Sequence, residues 1–164
     1  MKKITLILAV FAVLLSMVSA GTQKEYKAEM GMKAPYFEVK ASDGDVISLS
    51  DMKGRFVIVN FWTSADAESR IAANLYNGYV ESVGKEQISL VSVNIDRNKR
   101  LFEEIMRRDG LNAESQFYVQ SVNASELIRK YDMENGLQSF LIDPQGAIAA
   151  INPTTEMLAS IVNK

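Results

Sequence analysis

The fold of this chain is decided by the stretch Val57-Ile58-Val59-Asn60-Phe61-Trp62-Thr63-Ser64-Ala65-Asp66-Ala67-Glu68-Ser69-Arg70. Residues 57–62 are almost all β-branched or aromatic, which is typical of a central strand covered on both faces. Ser64 and Asp66 are preferred helix N-cap types, and Glu68 adds negative charge where the helix dipole favours it. The stretch therefore predicts a buried strand, a short turn and the start of a helix.

The predicted helix continues with apolar residues at every fourth position, namely Ile71, Leu75, Tyr79 and Val83. A spacing of four marks one face of a helix, and we expect this face to pack on the strand. Gly84 follows, and glycine is the commonest residue just beyond a helix C-terminus.

The composition bounds both the class of protein and its possible chemistry. The chain has 164 residues, of which 48% are hydrophobic, so it can build the core of one ordinary globular domain. Its 18 Lys and Arg residues against 20 Asp and Glu residues give no basic excess, and we expect no nucleic-acid partner. The chain contains neither Cys nor His, which excludes a Ser-His-Asp triad and a His-based metal site.

Residues 1–20 form a segment that we exclude from the fold. Lys2 and Lys3 precede an apolar run over residues 4–18, which is short for a membrane span of about 20 residues. Small residues precede Gly21, and the pattern predicts a secretory signal peptide cleaved between Ala20 and Gly21. We expect an exported protein, periplasmic or extracellular, with no stable membrane anchor after cleavage. An uncleaved N-terminal anchor is the alternative.

The remaining chain alternates predicted strands and helices. Residues 21–30 are predicted to be a linker, and one domain is predicted over residues 31–164. An Asp43-Gly44 turn joins the first two strands. The predicted strands cover residues 36–39, 46–49, 88–95, 116–119, 140–143 and 147–151. Helices are predicted over residues 98–108, 125–131 and 154–162, the last with Met157, Leu158, Ile161 and Val162 facing inwards.

The segment Asn60-Phe61-Trp62, followed by a turn and a helix, resembles the active-site segment of thioredoxin-fold proteins. It is most similar to the TlpA/ResA-like thiol–disulfide oxidoreductases and the related redoxin (AhpC/TSA-like) group, in which it reads N-F-W-x-x-W-C-x-x-C. The family's opening pattern is matched by Gly31, Ala34, Pro35, Phe37, Asp43, Gly44, Leu49, Asp51, Lys53 and Gly54. The resemblance covers residues 31–164. It implies an α/β, thioredoxin-like fold in which helices flank a central mixed sheet, with an N-terminal β-hairpin.

The same resemblance shows what this chain lacks. The family's two cysteine positions fall on Asp66 and Ser69, and its cis-proline position falls on Leu137. A carboxylate or a hydroxyl is no substitute for a thiolate in disulfide exchange. Because a non-proline cis peptide costs about 2.5–4 kcal/mol, we expect the Leu137 peptide to be trans. Asp66 and Ser69 have a simpler interpretation, as a helix cap and a first-turn residue.

Two functions remain open on the sequence. The first is a non-catalytic module of the cell envelope that binds a protein or an extended peptide, with no catalytic residue, metal or cofactor. Its predicted binding face consists of Trp62, Thr63, Ser64, Ala65, Asp66, Glu68, Ser69, Leu137 and Gln138. On this face Trp62 either anchors a peptide or packs in the core. The alternative is a divergent redoxin-type enzyme, an oxidoreductase or antioxidant protein, that acts without its own cysteines.

Overall fold

A computed structural model describes residues 27–40, 46–84 and 86–162. The predicted signal peptide and the Asp43-Gly44 turn lie outside these residues. The strands are β1 (Glu38–Lys40), β2 (Val46–Ser48), β3 (Phe56–Trp62), β4 (Ile88–Asn94), β5 (Gln116–Tyr118), β6 (Ser139–Ile142) and β7 (Ile148–Ile151). The helices are α1 (Ala67–Val83), α2 (Lys99–Arg108), α3 (Ser121–Lys130) and α4 (Thr155–Val162), with short 3-10 helices at Leu49–Met52 and Ala113–Ser115.

The central sheet has the strand order β5-β4-β3-β6-β7. Strand β3 runs parallel to β4 and antiparallel to β6, so the sheet is mixed. Strands β1 and β2 form a separate antiparallel hairpin. The predicted thioredoxin-like fold with its N-terminal hairpin is confirmed. Within the described residues, every helix is too short or too polar to cross a membrane.

Helices and the hairpin cover the two faces of the sheet. On one face the core contains Phe37, Phe61, Tyr131 and Phe140, under the hairpin and α3. On the other face α1 and α4 pack over residues such as Ile58. Ile58 has an exposed fraction of 0%, as expected for a strand covered on both faces.

The prediction for the buried face of α1 is wrong for Ile71 and Leu75, whereas Tyr79 and Val83 pack against the second core face as predicted. Its buried apolar residues are Ala73, Tyr76 and Val80, whereas the side chain of Ile71 is 68% exposed and that of Leu75 is 44% exposed. A helix turns by about 100° per residue, so a step of four residues drifts round the axis by about 40°. A row of residues spaced by four therefore crosses from the exposed side of α1, at Ile71, to the core side, at Tyr79 and Val83.

Three smaller expectations also need revision. Helix α3 begins at Ser121, four residues before the predicted start, and in α4 Leu158 is buried while Met157 is 42% exposed. Ala28, which falls in the predicted linker, is buried against the first core face. Apolar periodicity located these segments without fixing their ends or their orientation.

A row of polar side chains crosses the sheet beneath α1. The side chain of Asn60, in the central strand, donates through Nδ2 to Ser92 Oγ at 3.2 Å. Its Oδ1 accepts a hydrogen bond from Ser139 Oγ at 2.7 Å. Asn60, Ser92 and Ser139 are all buried, and their hydrogen bonds satisfy groups that would otherwise destabilise the core. This row links β4, β3 and β6 just before the end of β3, where the candidate site begins.

Candidate functional site

The candidate site lies where β3 ends and α1 begins. The four residues Thr63 to Asp66 connect the two elements, and Asp66 is the N-cap of α1 with an extended backbone. Its carboxylate accepts hydrogen bonds from the backbone N–H groups of Glu68 (3.0 Å) and Ser69 (3.4 Å). These N–H groups have no partner within the helix, so the carboxylate satisfies the donors that a helix start leaves free.

Ser69 is buried and joins the helix start to the strand end. Its hydroxyl donates to the carbonyl oxygen of Asp66 at 3.2 Å and accepts from the backbone N–H of Thr63 at 3.3 Å. The backbone N–H of Asp66 in turn donates to Thr63 Oγ1 at 3.3 Å. Asp66 and Ser69, which the resemblance aligns with the family's two cysteines, therefore hold the turn and the helix cap.

The structure removes Trp62 from the predicted binding face. Its side chain is 0% exposed and packs with Ala73 and Phe102, with the Phe102 ring centroid 6.0 Å away. The indole Nε1 has no hydrogen-bond partner among the residues that the structure describes. Trp62 is two residues beyond Asn60 and therefore points to the same face of β3, beneath α1. Strand geometry thus directs its ring into the core. Ser69 is also too buried, at 6% exposed, to present its hydroxyl to a partner.

The site contains a buried carboxylate that sequence reasoning missed. Asp96 follows β4 and is 8% exposed. Its carboxylate accepts hydrogen bonds from the Ser64 backbone N–H (3.1 Å), from Ser64 Oγ (2.5 Å) and from Asn94 Nδ2 (2.9 Å). The carboxyl ends of parallel strands lie at the same end of a sheet, so an acidic residue directly after the predicted strand 88–95 was the available signal. Asp96 positions the turn that leads into α1.

Leu137 and Gln138 are brought to the same end of β3 by strand pairing. The backbone N–H of Phe61 donates to the carbonyl oxygen of Gln138 at 3.2 Å, which extends the pairing of β3 with β6 by one residue. All peptide bonds of the described residues are trans, including that of Leu137 as expected. Leu137 and Gln138 are half-buried, and Leu137 also packs against the first core face.

A shallow groove of about 310 Å³ continues the site along α1, lined by Ala67, Arg70, Ile71, Asn74 and Asp109. Arg70 donates two hydrogen bonds of 2.6 Å to the carboxylate of Asp109, just after α2. This guanidinium lowers the pKa of Asp109 below its ordinary value. The ion pair and the exposed side chain of Ile71 both line the groove.

The chemistry available at this site is limited by its residue types. The sequence has no thiol, so disulfide exchange through the chain's own side chains is excluded. The hydroxyls of Thr63, Ser64 and Ser69 all take part in hydrogen bonds of the turn. Across the described ranges, no group of three or more acidic residues is placed to hold a metal ion. What the site offers is a surface formed by Thr63, Ser64, Ala65, Asp66, Ala67, Glu68, Ile71, Leu137 and Gln138, here named the cap surface.

Comparison with known proteins supports the resemblance. The thiol-disulfide oxidoreductase ResA of Bacillus subtilis is 31% identical over 125 residues, which is 74% of this chain and 65% of ResA. The putative peroxiredoxin bcp of Coxiella burnetii is 26% identical over 79% of this chain and 91% of its own. The chain thus spans just under two thirds of the length of Bacillus subtilis ResA.

Solved structures agree with this assignment. The crystal structure of a thioredoxin-like protein from Parabacteroides distasonis superposes with a TM-score of 0.72 at 33% identity, over 84% of this chain and 98% of the other. A thiol:disulfide interchange protein from Bacteroides sp., at 21% identity, has a TM-score of 0.73 over 83% and 91% of the two chains and shares the fold. The profile of the AhpC/TSA family matches residues 30–151. The chain therefore belongs to the AhpC/TSA family, as a thioredoxin-fold member without cysteines.

Proposed function

We propose that this protein is an exported, non-catalytic binding module that holds an extended peptide or a partner protein on its cap surface. One observation carries the proposal. Asp66 and Ser69, in the positions of the family's cysteines, are both hydrogen-bonded into the N-terminus of α1. The exchange of residues has kept the helix start intact while removing the thiol chemistry.

The shape and charge of the cap surface support binding. Ala65, Ala67, Glu68 and Ile71 are exposed, and Asp66 is partly exposed. Ile71 replaces Trp62 as the apolar anchor, because its side chain is 68% exposed beside the groove. Ile71 shares the cap surface with the carboxylates of Asp66 and Glu68, which suits a partner segment that carries both apolar and basic residues.

The export part of the proposal is supported by the sequence of residues 1–20. A basic start, an apolar run and small residues before Gly21 are the parts of a secretory signal peptide. We therefore place the binding function in the cell envelope or outside the cell.

Photo-cross-linking in the host cell tests the binding function. The cross-linking residue p-benzoylphenylalanine replaces Ala65 in one variant, and in a control variant it replaces Met157, which is exposed on α4. We expect one discrete adduct from position 65 that is absent from position 157. The adduct should weaken when Ile71→Ser is added, because that change removes the apolar anchor. Equal adducts from both positions, or none from position 65, would contradict the proposal.

Insulin reduction by the mature protein with dithiothreitol tests the non-catalytic part. We expect turnover no faster than dithiothreitol alone, because the chain supplies no thiolate. Reduction above that background would favour the divergent oxidoreductase instead.

A further inference from the structure

We propose that an ordered water molecule is bound in the core beneath α1, between the side-chain amide of Gln116 and the hydroxyl of Ser92. Gln116 is the first residue of β5 and is 6% exposed. Neither its Nε2 nor its Oε1 has a hydrogen-bond partner among the residues that the structure describes. An unpartnered amide destabilises a core, so we expect a group that can both donate and accept to lie beside it.

The register of the sheet places Gln116 at the end of the buried polar side chains of Ser139, Asn60 and Ser92, here named the polar row. Ser92 and Gln116 are paired residues of the parallel strands β4 and β5, so their side chains point to the same face. Phe117 packs in the first core face, which directs Gln116 to the opposite face, beneath α1. Gln116 therefore extends the polar row to a fourth strand.

The hydrogen bonds of the polar row stop one residue short of Gln116. Asn60 uses Nδ2 for Ser92 and Oδ1 for Ser139, so both ends of its amide are bonded. Ser92 Oγ accepts the bond from Asn60, and a hydroxyl also carries one proton that it can donate. A water molecule can accept that proton and bond to the Gln116 amide at the same time. It thereby joins the last member of the polar row to the others.

Apolar side chains on both sides of the polar row leave this amide no other source of partners. On one side lie Ile58 and Leu90, in the core beneath the middle of α1. On the other side Trp62 packs with Phe102. Because none of these four side chains accepts a hydrogen bond, the amide of Gln116 has to be satisfied within the row itself.

The neighbourhood of Gln116 provides a polar group and space. Asn77, buried on α1, accepts from the backbone N–H of Asn112 at 2.8 Å, which holds its amide beside the turn that precedes β5. A cleft of about 220 Å³ is lined by both residues and by Leu90 and Ser115, next to the polar row. A buried water needs about two to four polar partners and room for one molecule. The cleft gives water a short route to Gln116.

A high-resolution crystal structure of the mature protein tests the site directly. We expect density for a water about 2.6–3.2 Å from Ser92 Oγ and from the Gln116 amide. This density should be lost in Gln116→Met, in which an apolar side chain of similar length replaces the amide. A direct Gln116–Ser92 hydrogen bond, or no density beside the amide, would overturn the proposal. A peak about 2.4 Å from both oxygen atoms would mark a cation and overturn it as well.

Urea denaturation distinguishes a hydrated amide from an unpartnered one. If the amide is hydrated, Gln116→Met should raise the equilibrium constant for unfolding by roughly threefold to tenfold, because Ser92 loses its acceptor. Gln120→Met makes the same change at an exposed position and should leave the constant within about twofold of the wild-type value. A constant for Gln116→Met that is equal to that of the control, or lower, would show that the amide had no partner to lose and would overturn the proposal.

Discussion

Asp66 places a carboxylate at the start of α1, at the position that the resemblance aligns with the family's first cysteine. The positive end of the α1 dipole favours any anion there, and the hydrogen bonds to Glu68 and Ser69 localise it. A thiol in this position would gain the same stabilisation of its ionised form, which lowers a cysteine pKa. The helix start that would stabilise a thiolate is thus present without a thiol and without a cis peptide at Leu137.

The double variant Asp66→Cys with Ser69→Cys should therefore form an internal disulfide on mild oxidation. The two positions are three residues apart in the first turn, and the redox motif has the same spacing. Intact mass spectrometry after thiol alkylation should show loss of two hydrogens in the oxidised form and no free thiol. The single variant Asp66→Cys is the control and should form only intermolecular disulfides. Two freely alkylated thiols after oxidation would show that the helix start no longer has the required geometry.

Asp96 acts on the site through Ser64. Asp96 is 8% exposed, and its carboxylate accepts hydrogen bonds from the backbone N–H and hydroxyl of Ser64 and from the side chain of Asn94. Asp96→Ala should lower the free energy of unfolding by about 2–3 kcal/mol, because buried donors lose a charged acceptor. Urea denaturation measures the loss. Glu134→Ala, at an exposed position, should change the value by less than about 0.5 kcal/mol. A loss at Asp96 as small as that of the control would show that the turn holds without the carboxylate.

At the scale of elements, apolar periodicity alone placed Ile71 and Leu75 on the buried face of α1, whereas both are exposed. Val80→Ala should lower the free energy of unfolding by about 2 kcal/mol, because it leaves a cavity against the second core face. Ile71→Ala should change it by less than about 0.5 kcal/mol, since its side chain is already exposed. Urea denaturation measures the free energy of unfolding of both variants. Similar losses would mean that Ile71 belongs to the buried face of α1.

The Arg70–Asp109 ion pair connects α1 to the residue that follows α2. Arg70 lowers the pKa of Asp109 in the folded protein, so this carboxyl binds its proton less readily when folded than when unfolded. The contribution of the pair to stability is therefore present above the ordinary Asp pKa of about 3.9 and is lost as the pH falls through the lower folded-state pKa.

The variant Asp109→Asn tests this linkage. The stability difference between wild type and variant should be largest near neutral pH and should shrink on acidification below about pH 4. Thermal unfolding at a series of pH values measures it. Asp132→Asn, at an exposed position, is the control and should show a smaller change with pH. If the stability difference between wild type and Asp109→Asn stayed constant below about pH 4, loss of the ion pair would not be what destabilises the variant.

At the scale of the whole molecule, Tyr131 joins the N-terminal segment to the sheet. Its ring centroid lies 4.9 Å from that of Phe61 and 5.0 Å from that of Phe140, and its hydroxyl donates to the carbonyl oxygen of Pro35 at 2.8 Å. Burial raises the pKa of Tyr131 well above its ordinary value. The buried phenol is therefore neutral and can donate to Pro35 over the whole physiological pH range.

Tyr131→Phe keeps the ring but removes the hydrogen bond to Pro35. We expect a loss of about 1 kcal/mol in the free energy of unfolding, with the carbonyl oxygen of Pro35 left unsatisfied. Hydrogen exchange should accelerate most in the segment around Pro35 and in β1. Tyr36→Phe is the matched control, because that ring is 54% exposed. Equal effects of the two changes would contradict a role for the buried hydroxyl.

The strands and helices could be predicted from the sequence because their signals are local, whereas the thioredoxin-like arrangement was implied by the family resemblance. The apolar run of β3, the cap at Asp66 and the alternation along β4 each depend on neighbouring residues. The sequence did not decide whether Trp62 lies at the surface or in the core, because the burial of a strand side chain depends on which helix covers its face of the sheet. Asp96 lies thirty residues beyond Asp66, and its contact with Ser64 arises only when β4 pairs with β3.

The buried position of Trp62 has a practical consequence, because it is the only tryptophan in the chain. Fluorescence excited at the red edge of protein absorption therefore reports on one indole, enclosed by Ala73 and Phe102 directly behind the cap surface. The native protein should emit at short wavelength and resist quenching by acrylamide, and the emission should move to longer wavelength when this region opens. The chain thus carries an intrinsic optical probe of whether the region behind the cap surface stays closed when a partner binds.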